Sequence, residues 1–187
     1  MSPSNASSSL RNTTVALVLT VIGDDHPGLV EQLATAISSH QGNWLESSMS
    51  HLCGKFAGIV CISVPDARLA ALKEALAALS GLRITAEAGA ARGEAGAGNR
   101  RLKLSLVGHD RIGIVREVSQ VLARHAINVE ELSTHTASAP MSAEILFHAS
   151  AELTAAAGLD ARALTSDLEQ ISNDLMVDIT LDEAIRG

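Results

Sequence analysis

The sequence predicts an α+β protein built from two copies of a βαββαβ unit, each an antiparallel four-stranded sheet with helices on one face. The stretch Gly-Asp-Asp-His-Pro-Gly-Leu-Val at residues 23–30 returns 85 residues later as Gly-His-Asp-Arg-Ile-Gly-Ile-Val at residues 108–115. Around each copy, apolar runs typical of strands alternate in the same order with runs of helical period. This internal repeat predicts two tandem domains.

The first unit is predicted over residues 13–88, after a Ser- and Asn-rich tail at 1–12 that we expect to be disordered. Residues 14–23 are apolar on both faces, which is typical of a central strand or of one covered on both sides. The first helix is predicted to have Pro27 near its first helical position, where the missing N–H costs nothing, and it ends at Gln41-Gly42-Asn43. Strands at 44–53 and 56–64 are joined by a hairpin at Gly54-Lys55, a second helix begins at Pro65-Asp66, and a strand at 82–87 completes a ferredoxin-like unit.

The second unit is predicted over residues 101–183, after a Gly- and Ala-rich stretch at 89–100 that reads as a flexible linker. Its third strand is predicted at 143–149. Some seven to nine extra residues around 150–159 are predicted to form a loop that the first unit lacks. Asp160 then caps a helix, and the alternating apolar residues from Val177 onward form the last strand.

Composition limits the partners of this chain. The net charge is −7, aromatic residues make up 2%, and the longest basic run is Arg100-Arg101. Because nucleic-acid binding needs clustered Lys and Arg, and often stacking rings, we expect no direct binding to nucleic acid. No apolar run approaches the roughly 20 residues of a membrane span, and residues 15–22 lack the flanks of a signal peptide. We therefore expect a cytoplasmic protein with no membrane association.

Each repeated stretch joins a strand to a helix through a tight acidic turn. Its glycine has no Cβ, so a ligand can come close, and the first N–H groups of the helix are free donors that favour a carboxylate. Asp25 or Asp110, together with an Asn side-chain carbonyl, could accept from an ammonium group. The alternative is that the two aspartates only cap their helices and the glycines only allow close packing.

The pattern Gly-x-Asp-x-Pro-Gly-Leu-Val in a βαββαβ unit resembles the ACT domain, a small-molecule-sensing module attached to many amino-acid metabolic enzymes. Two such domains over residues 13–183 and nothing else resemble the glycine cleavage system transcriptional repressor family. Residues 126–132 and 139–144 resemble the second-repeat signature of that group.

The resemblance implies that a small amino acid, glycine or serine among them, binds at domain or subunit interfaces of a homo-oligomer, expected to be a homodimer. It also implies a protein partner, a transcription activator, rather than DNA. Ile112 stands in place of the family's proline, and Ala126 where glycine is usual. The ligand-binding residues that the resemblance implies are Asp25, His26, Pro27, Gly28, Leu29, Asn43, Asp110, Arg111, Ile112, Gly113, Ile114 and Asn128.

No catalytic residues, cofactor or metal site are predicted. No two of the seven histidines have the i, i+4 helical spacing of zinc ligands. With a turn at Gly54-Lys55, Cys53 would face residue 56 and Cys61 would face residue 48, so we expect free thiols, which fit a reducing compartment. Nothing assembles a nucleophile, a base and an oxyanion hole.

We therefore predict a ligand-sensing regulator that acts on a protein partner and is not an enzyme. The alternative is an ACT-domain interaction or scaffold protein that regulates a metabolic enzyme without a ligand of its own. An amino-acid binding screen discriminates the two, because only the sensor gains stability from its ligand.

Overall fold

The computed structural model describes residues 13–89, 99–139 and 144–183. The chain divides into two compact units, Met1–Gly93 and Glu94–Gly187, each with the predicted βαββαβ order. The predicted tail at 1–12, most of the predicted linker at 89–100, and residues 140–143 of the segment 139–144 lie outside the described residues.

Unit 1 forms an antiparallel sheet with the strand order β2-β3-β1-β4, so the doubly apolar first strand is central, as predicted. A 3-10 turn at Asp66–Arg68, rather than α-helix, follows Pro65. Its elements are β1 (Thr14–Asp24), α1 (Leu29–Ser39), β2 (Asn43–Leu52), β3 (Lys55–Pro65), α2 (Leu69–Ala77) and β4 (Leu82–Ala88).

Unit 2 repeats this architecture with the strand order β6-β7-β5-β8, and Asp160 caps its last helix by accepting from the backbone N–H groups of Arg162 and Ala163. Its elements are β5 (Arg100–His109), α3 (Ile114–Arg124), β6 (Asn128–Ser138), β7 (Ile145–Ala155), α4 (Ala161–Leu175) and β8 (Val177–Glu183).

Each unit has its own aliphatic core between its helices and one face of its sheet. In unit 1, Leu33 and Ile37 of α1 pack with Leu17 and Leu19 of β1, and all four are at most 1% exposed. This stripe follows from the helical spacing of α1 and the two-residue period of β1. The helices cover one face, so the other face of each sheet remains available to solvent or to a partner.

The predicted loop at 150–159 is wrong for its first half, because β7 continues to Ala155 and pairs with β5 from Leu146 to Ala155. Ser150, Glu152 and Thr154 alternate with buried Ala151 and other small or apolar residues. This is a strand with a polar outer face, and its alanines conceal the alternation. The additional length of unit 2 lies instead in the β6–β7 connection and in its second helix. That helix, α4, has 15 residues, whereas the equivalent helix of unit 1, α2, has nine.

The hairpin turn in unit 1 lies one residue earlier than predicted, at Cys53-Gly54. Both residues have positive φ, 51° and 73°, as a type I′ turn requires. With the turn one residue earlier, Leu52 faces Lys55 and the regular register from there places Cys61 opposite Glu46, so the predicted facing partners of both cysteines are wrong. The two thiols are nevertheless free, as predicted.

Candidate functional site

The two strand-to-helix turns have the same unusual backbone. Gly28 is the N-cap of α1 with φ 96° and ψ −4°, and Gly113 is the N-cap of α3 with φ 102° and ψ −6°. This left-handed conformation is costly for residues with a Cβ, so glycine is required here by conformation. A Cβ on Gly28 would have only the Gln32 amide nitrogen within 4 Å of it, at 4.0 Å, which means that the space beside this glycine is open.

Close packing explains a different glycine of each motif. A Cβ on Gly23 would lie 2.2 Å from the Gly81 carbonyl oxygen, and one on Gly108 would lie 2.2 Å from Cγ1 of Val177. In both units the neighbouring strand thus approaches the end of the central strand too closely for any side chain. The packing explanation therefore holds for Gly23 and Gly108, but not for Gly28.

Asp25 and Asp110 do not cap their helices, since neither α1 nor α3 receives a hydrogen bond from a capping side chain. Instead, the backbone N–H of Asp25 donates to the Gly54 carbonyl, and that of Asp110 to the Ile145 carbonyl, both at 3.0 Å. These bonds tie each turn to the adjacent hairpin and leave both carboxylates exposed. In the described part of each turn, the first N–H groups of the helix thus lack a side-chain acceptor.

The other turn residues differ in how they can contribute to a site. Leu29 and Ile114 are each 2% exposed and belong to the cores, so only their backbone can contact a ligand. Pro27 precedes the N-cap instead of lying in the first helical turn, and Ile112, at the same repeat position, is fully exposed. Arg111 and His26 are exposed, and His26 Nδ1 lies 3.1 Å from the Pro27 carbonyl oxygen.

The residue before each of these aspartates makes a different side-chain contact in the two units. Asp24 pairs with Lys55, whose hydrogen bond and positive charge lower the pKa of the Asp24 carboxyl. The equivalent residue in unit 2 is His109, whose Nδ1 lies 3.9 Å from Glu144 Oε2. Because Asp24 is already engaged, Asp25 is the carboxylate of the unit 1 turn that is open to a cationic group.

One position that the sequence analysis did not single out distinguishes the two turns. Gln32 of α1 corresponds to Glu117 of α3, and both lie four residues after the N-cap glycine. A Cβ on Gly113 would meet Glu117 Oε1 and Arg116 Nη2, both at 3.4 Å, and these two side chains lie 3.6 Å apart. In unit 2 a carboxylate thus stands beside the N-cap glycine, whereas unit 1 presents a neutral amide there. The first-turn carboxylate of α1, Glu31, lies more than 4 Å from a Cβ on Gly28 and accepts a hydrogen bond from Thr35 at 3.3 Å. A comparison of the two repeats could have identified this position.

The asparagines of the predicted site do not join the turns of their own units. Asn43 is paired with Ser63, whose partner on β1 is Ala16, nine residues before Asp25. At about 3.3 Å per strand residue, Asn43 lies about 30 Å along the sheet from the turn. Asn128 has the same place at the start of β6, and its Nδ2 donates to Glu130 Oε1 at 2.7 Å.

Unit 2 also has a narrow apolar cleft between α3 and β6, with about 30 Å³ open to a water-sized atom. That volume is about one water's share of the liquid, which is too small for an amino acid. Val129 stands at this edge where unit 1 has Trp44, which packs against its core. The residues that line the cleft are Leu104, Leu106, Ile114, Val115, Val118, Ser119, Leu122, Val129, Leu132, Phe147, Ala149 and Ala151.

Within residues 13–89, 99–139 and 144–183, no group of three or more His, Cys, Asp or Glu side chains could hold a metal ion. In the same part of the chain, no helix is long and apolar enough to cross a membrane.

Comparison with protein families places these turns in context. Residues 16–86, which span most of unit 1, match the ACT domain family. Unit 2 has the same strand order, the same register shift near the start of its edge strand and the same left-handed N-cap glycine. This chain is a tandem ACT-domain protein. ACT domains typically bind small ligands, and the protein is accordingly an ACT-domain regulatory protein.

Two solved structures resemble the tandem ACT chain over 92% of its length. An unknown protein from Galdieria sulphuraria is 29% identical, with a TM-score of 0.80 over 100% of its own chain. A protein described as a "putative glycine cleavage system transcriptional repressor" is 18% identical, with a TM-score of 0.69 over 99% of its own chain. At that identity the second likeness establishes the fold alone. No curated protein matches the sequence.

Proposed function

We propose that this tandem ACT protein is a non-enzymatic, cytoplasmic amino-acid sensor whose first unit binds a small amino acid, glycine or serine, at the turn before α1. The observation that carries the proposal is the left-handed Gly28, which has open space beside it and begins a helix without a side-chain cap. Free N–H groups at a helix N-terminus attract a carboxylate through hydrogen bonds and the helix dipole.

The second charge of the amino acid is met by Asp25. Its carboxylate is exposed and lies three residues before the N-cap glycine, while the neighbouring Asp24 is held by Lys55. Charge-assisted hydrogen bonds of this type are about twice as strong as neutral ones. A zwitterion thus finds donors for its carboxylate and an acceptor for its ammonium group within one short turn.

The turn in unit 2 is the weaker site for a carboxylate. Asp110, Arg111, Ile112, Gly113 and the Ile114 N–H reproduce the backbone, but Glu117 adds a negative charge beside the donors. Glu117 Oε1 and Arg116 Nη2 each lie 3.4 Å from the position of a Cβ on Gly113, so these two side chains occupy the space that is open beside Gly28. Arg116 lies 3.6 Å from the Glu117 carboxylate, and a ligand carboxylate would have to compete with Glu117 for it. We therefore assign the primary site to Asp25, His26, Pro27, Gly28 and the Leu29 backbone.

The asparagines enter this proposal only through assembly. Asn43 lies about 30 Å from the turn of its own unit by the strand rise. An asparagine carbonyl beside the ligand would therefore have to come from another unit, either the other unit of the same chain or a unit of a second copy in a homodimer. Asn128 would first have to release its hydrogen bond to Glu130.

The downstream partner is a transcription activator, and the pathway controlled is the glycine cleavage system. The net charge of −7 supports action on a protein rather than on DNA, because an acidic surface repels phosphates. The fold shared with a structure described as a glycine cleavage system transcriptional repressor is consistent with this pathway. The alternative remains a scaffold that regulates a metabolic enzyme without its own ligand.

Calorimetry and thermal unfolding of the full chain with each common amino acid test the sensor. Glycine or serine should bind and raise the melting temperature. At a ligand concentration of 100 times Kd, the free energy of unfolding should rise by about 2.7 kcal/mol. Asp25→Asn should weaken binding, whereas Asp110→Asn, the matched control, should not. A screen with no heat and no thermal shift would favour the scaffold.

Capture of partners from a lysate, with and without the bound amino acid, tests the regulatory part of the proposal. A transcription activator should be recovered in an amount that changes with the ligand. Recovery of metabolic enzymes alone would count against a repressor.

A further inference from the structure

Two histidines that are distant in the sequence lie directly opposite each other in the sheet of unit 2. His135 of β6 pairs with His148 of β7, and their imidazole rings are parallel to within 2°, with centroids 4.8 Å apart. Both side chains lie on the face of the sheet away from the helices, because their strand neighbours Thr134 and Phe147 occupy the opposite face. His135 is exposed and His148 is half-buried.

The fold does not need this pair. In unit 1, Ser50 and Ala57 occupy the same register positions on β2 and β3 and support the same sheet. Across the described parts of the chain, neither imidazole makes a hydrogen bond or an ion pair. Two ring systems with unused nitrogen atoms, added to a scaffold that forms without them, indicate a ligand for those nitrogens.

We propose that His135 and His148 form a two-histidine site for a divalent first-row transition-metal ion, with Zn²⁺ as the reference ion. Neutral imidazole is a preferred ligand of Zn²⁺, Cu²⁺ and Ni²⁺. Directly opposed strand residues have Cβ atoms about 4.5–5.5 Å apart. Zn–N bonds of about 2.0–2.1 Å place two ligating nitrogens about 3.3 Å apart, which side-chain rotation from the stacked arrangement can achieve.

The surroundings of the pair are compatible with a cation. On the same face, Ser133 and Ser150 form the adjacent pair along β6 and β7, and Val107 lies opposite His148 on β5. These neighbours carry no charge, so none of them repels a metal ion. Two protein ligands leave the remaining coordination positions to water.

The i, i+4 spacing of helical zinc ligands cannot reveal this pair, because the two histidines lie on different strands. Twelve residues separate His135 from His148 in the chain, and only the register of β6 and β7 brings them together. Cross-strand ligands of this kind have no characteristic sequence spacing.

Titration of the full, tag-free and metal-free chain with Zn²⁺, by calorimetry and by NMR of the imidazole protons, tests the site. His135→Ser and His148→Ala introduce the residues that unit 1 carries at these positions, so both variants should fold, as thermal unfolding will check. Each should weaken Zn²⁺ binding by about tenfold or more, because the second imidazole acts at a high effective concentration. His51→Asn, which removes an exposed histidine from the edge strand of unit 1, is the matched control and should bind as the wild type does.

In the NMR spectrum, Zn²⁺ should shift the imidazole signals of two histidines. His135→Ser should remove one of these signals, and His148→Ala should remove the other. The proposal is overturned if the wild type takes up no Zn²⁺. It is equally overturned if either substitution leaves the affinity unchanged, since a bidentate site needs both rings.

Discussion

The side chain four residues after the N-cap glycine should control which unit binds an amino acid. In Gln32→Glu, the first unit acquires the charge that Glu117 already provides in the second. A Cβ on Gly28 would lie 4.0 Å from Gln32 Nε2, so the new carboxylate would stand beside the donors that the ligand carboxylate uses. The substitution adds one negative charge and replaces the amide N–H donors of Gln32 by a carboxylate oxygen with almost no change in volume, so it tests the polar character of this position rather than its size.

The expected size of the effect follows from that separation. Two unit charges 4 Å apart repel by about 1 kcal/mol in water and by about 4 kcal/mol at an effective dielectric constant of about 20. The turn is exposed, so the lower part of this range applies, and we expect about 1.4 kcal/mol, or tenfold in Kd. A carboxylate near the N-terminus of α1 should meanwhile stabilise the free protein slightly, by about 0.3–1 kcal/mol. Weaker binding together with equal or higher stability separates the mechanism from misfolding.

Isothermal titration with the amino acid that binds best in the screen measures this effect. Ser38→Glu adds the same charge at the exposed end of α1, six residues from Gln32 or about 9 Å by helical rise, and is the control. The reciprocal variant Glu117→Gln should raise the number of sites from one to two per chain. The reasoning is refuted if Gln32→Glu binds within twofold of the wild type, or if both charge variants weaken binding equally.

The remaining predictions concern stability. Gly28→Ala forces a Cβ into a left-handed conformation and should cost about 1–2 kcal/mol in the free energy of unfolding, whereas Gly158→Ala, at an open position without positive φ, should cost nothing measurable in the same denaturation assay. Asp160→Ala should cost about 1 kcal/mol because it removes the cap of α4, and a thermal melt that is unchanged would show that the cap is redundant. Because Lys55 lowers the pKa of Asp24, this pair stabilises the fold above the unfolded carboxyl pKa of about 3.9, and the stabilisation is lost as pH falls through the lower folded value. The difference in melting temperature between the wild type and Asp24→Asn should thus be constant near neutral pH and disappear in acid.

Periodicity and the repeat were sufficient to predict most of the fold. The two-residue alternation of β5 and the helical stripe of α1 report local backbone geometry directly, so these elements were located to within a few residues. The predicted loop at 150–159 failed because two of the three buried residues on the inner face of this part of β7, Ala151 and Ala155, are alanines. Alanine carries too weak a signal to mark the inner face of a strand.

The sequence by itself determined that the chain has two equivalent units with an acidic, glycine-containing turn in each, since these features are written in residue order and period. Only the tertiary structure decided which glycine of each turn adopts the left-handed backbone conformation. It also decided that Asn43 lies at the far end of the sheet from Asp25, and that His135 lies opposite His148. The physical reason is that backbone dihedral angles and strand register depend on contacts between residues far apart in the chain. Local composition does not record those contacts.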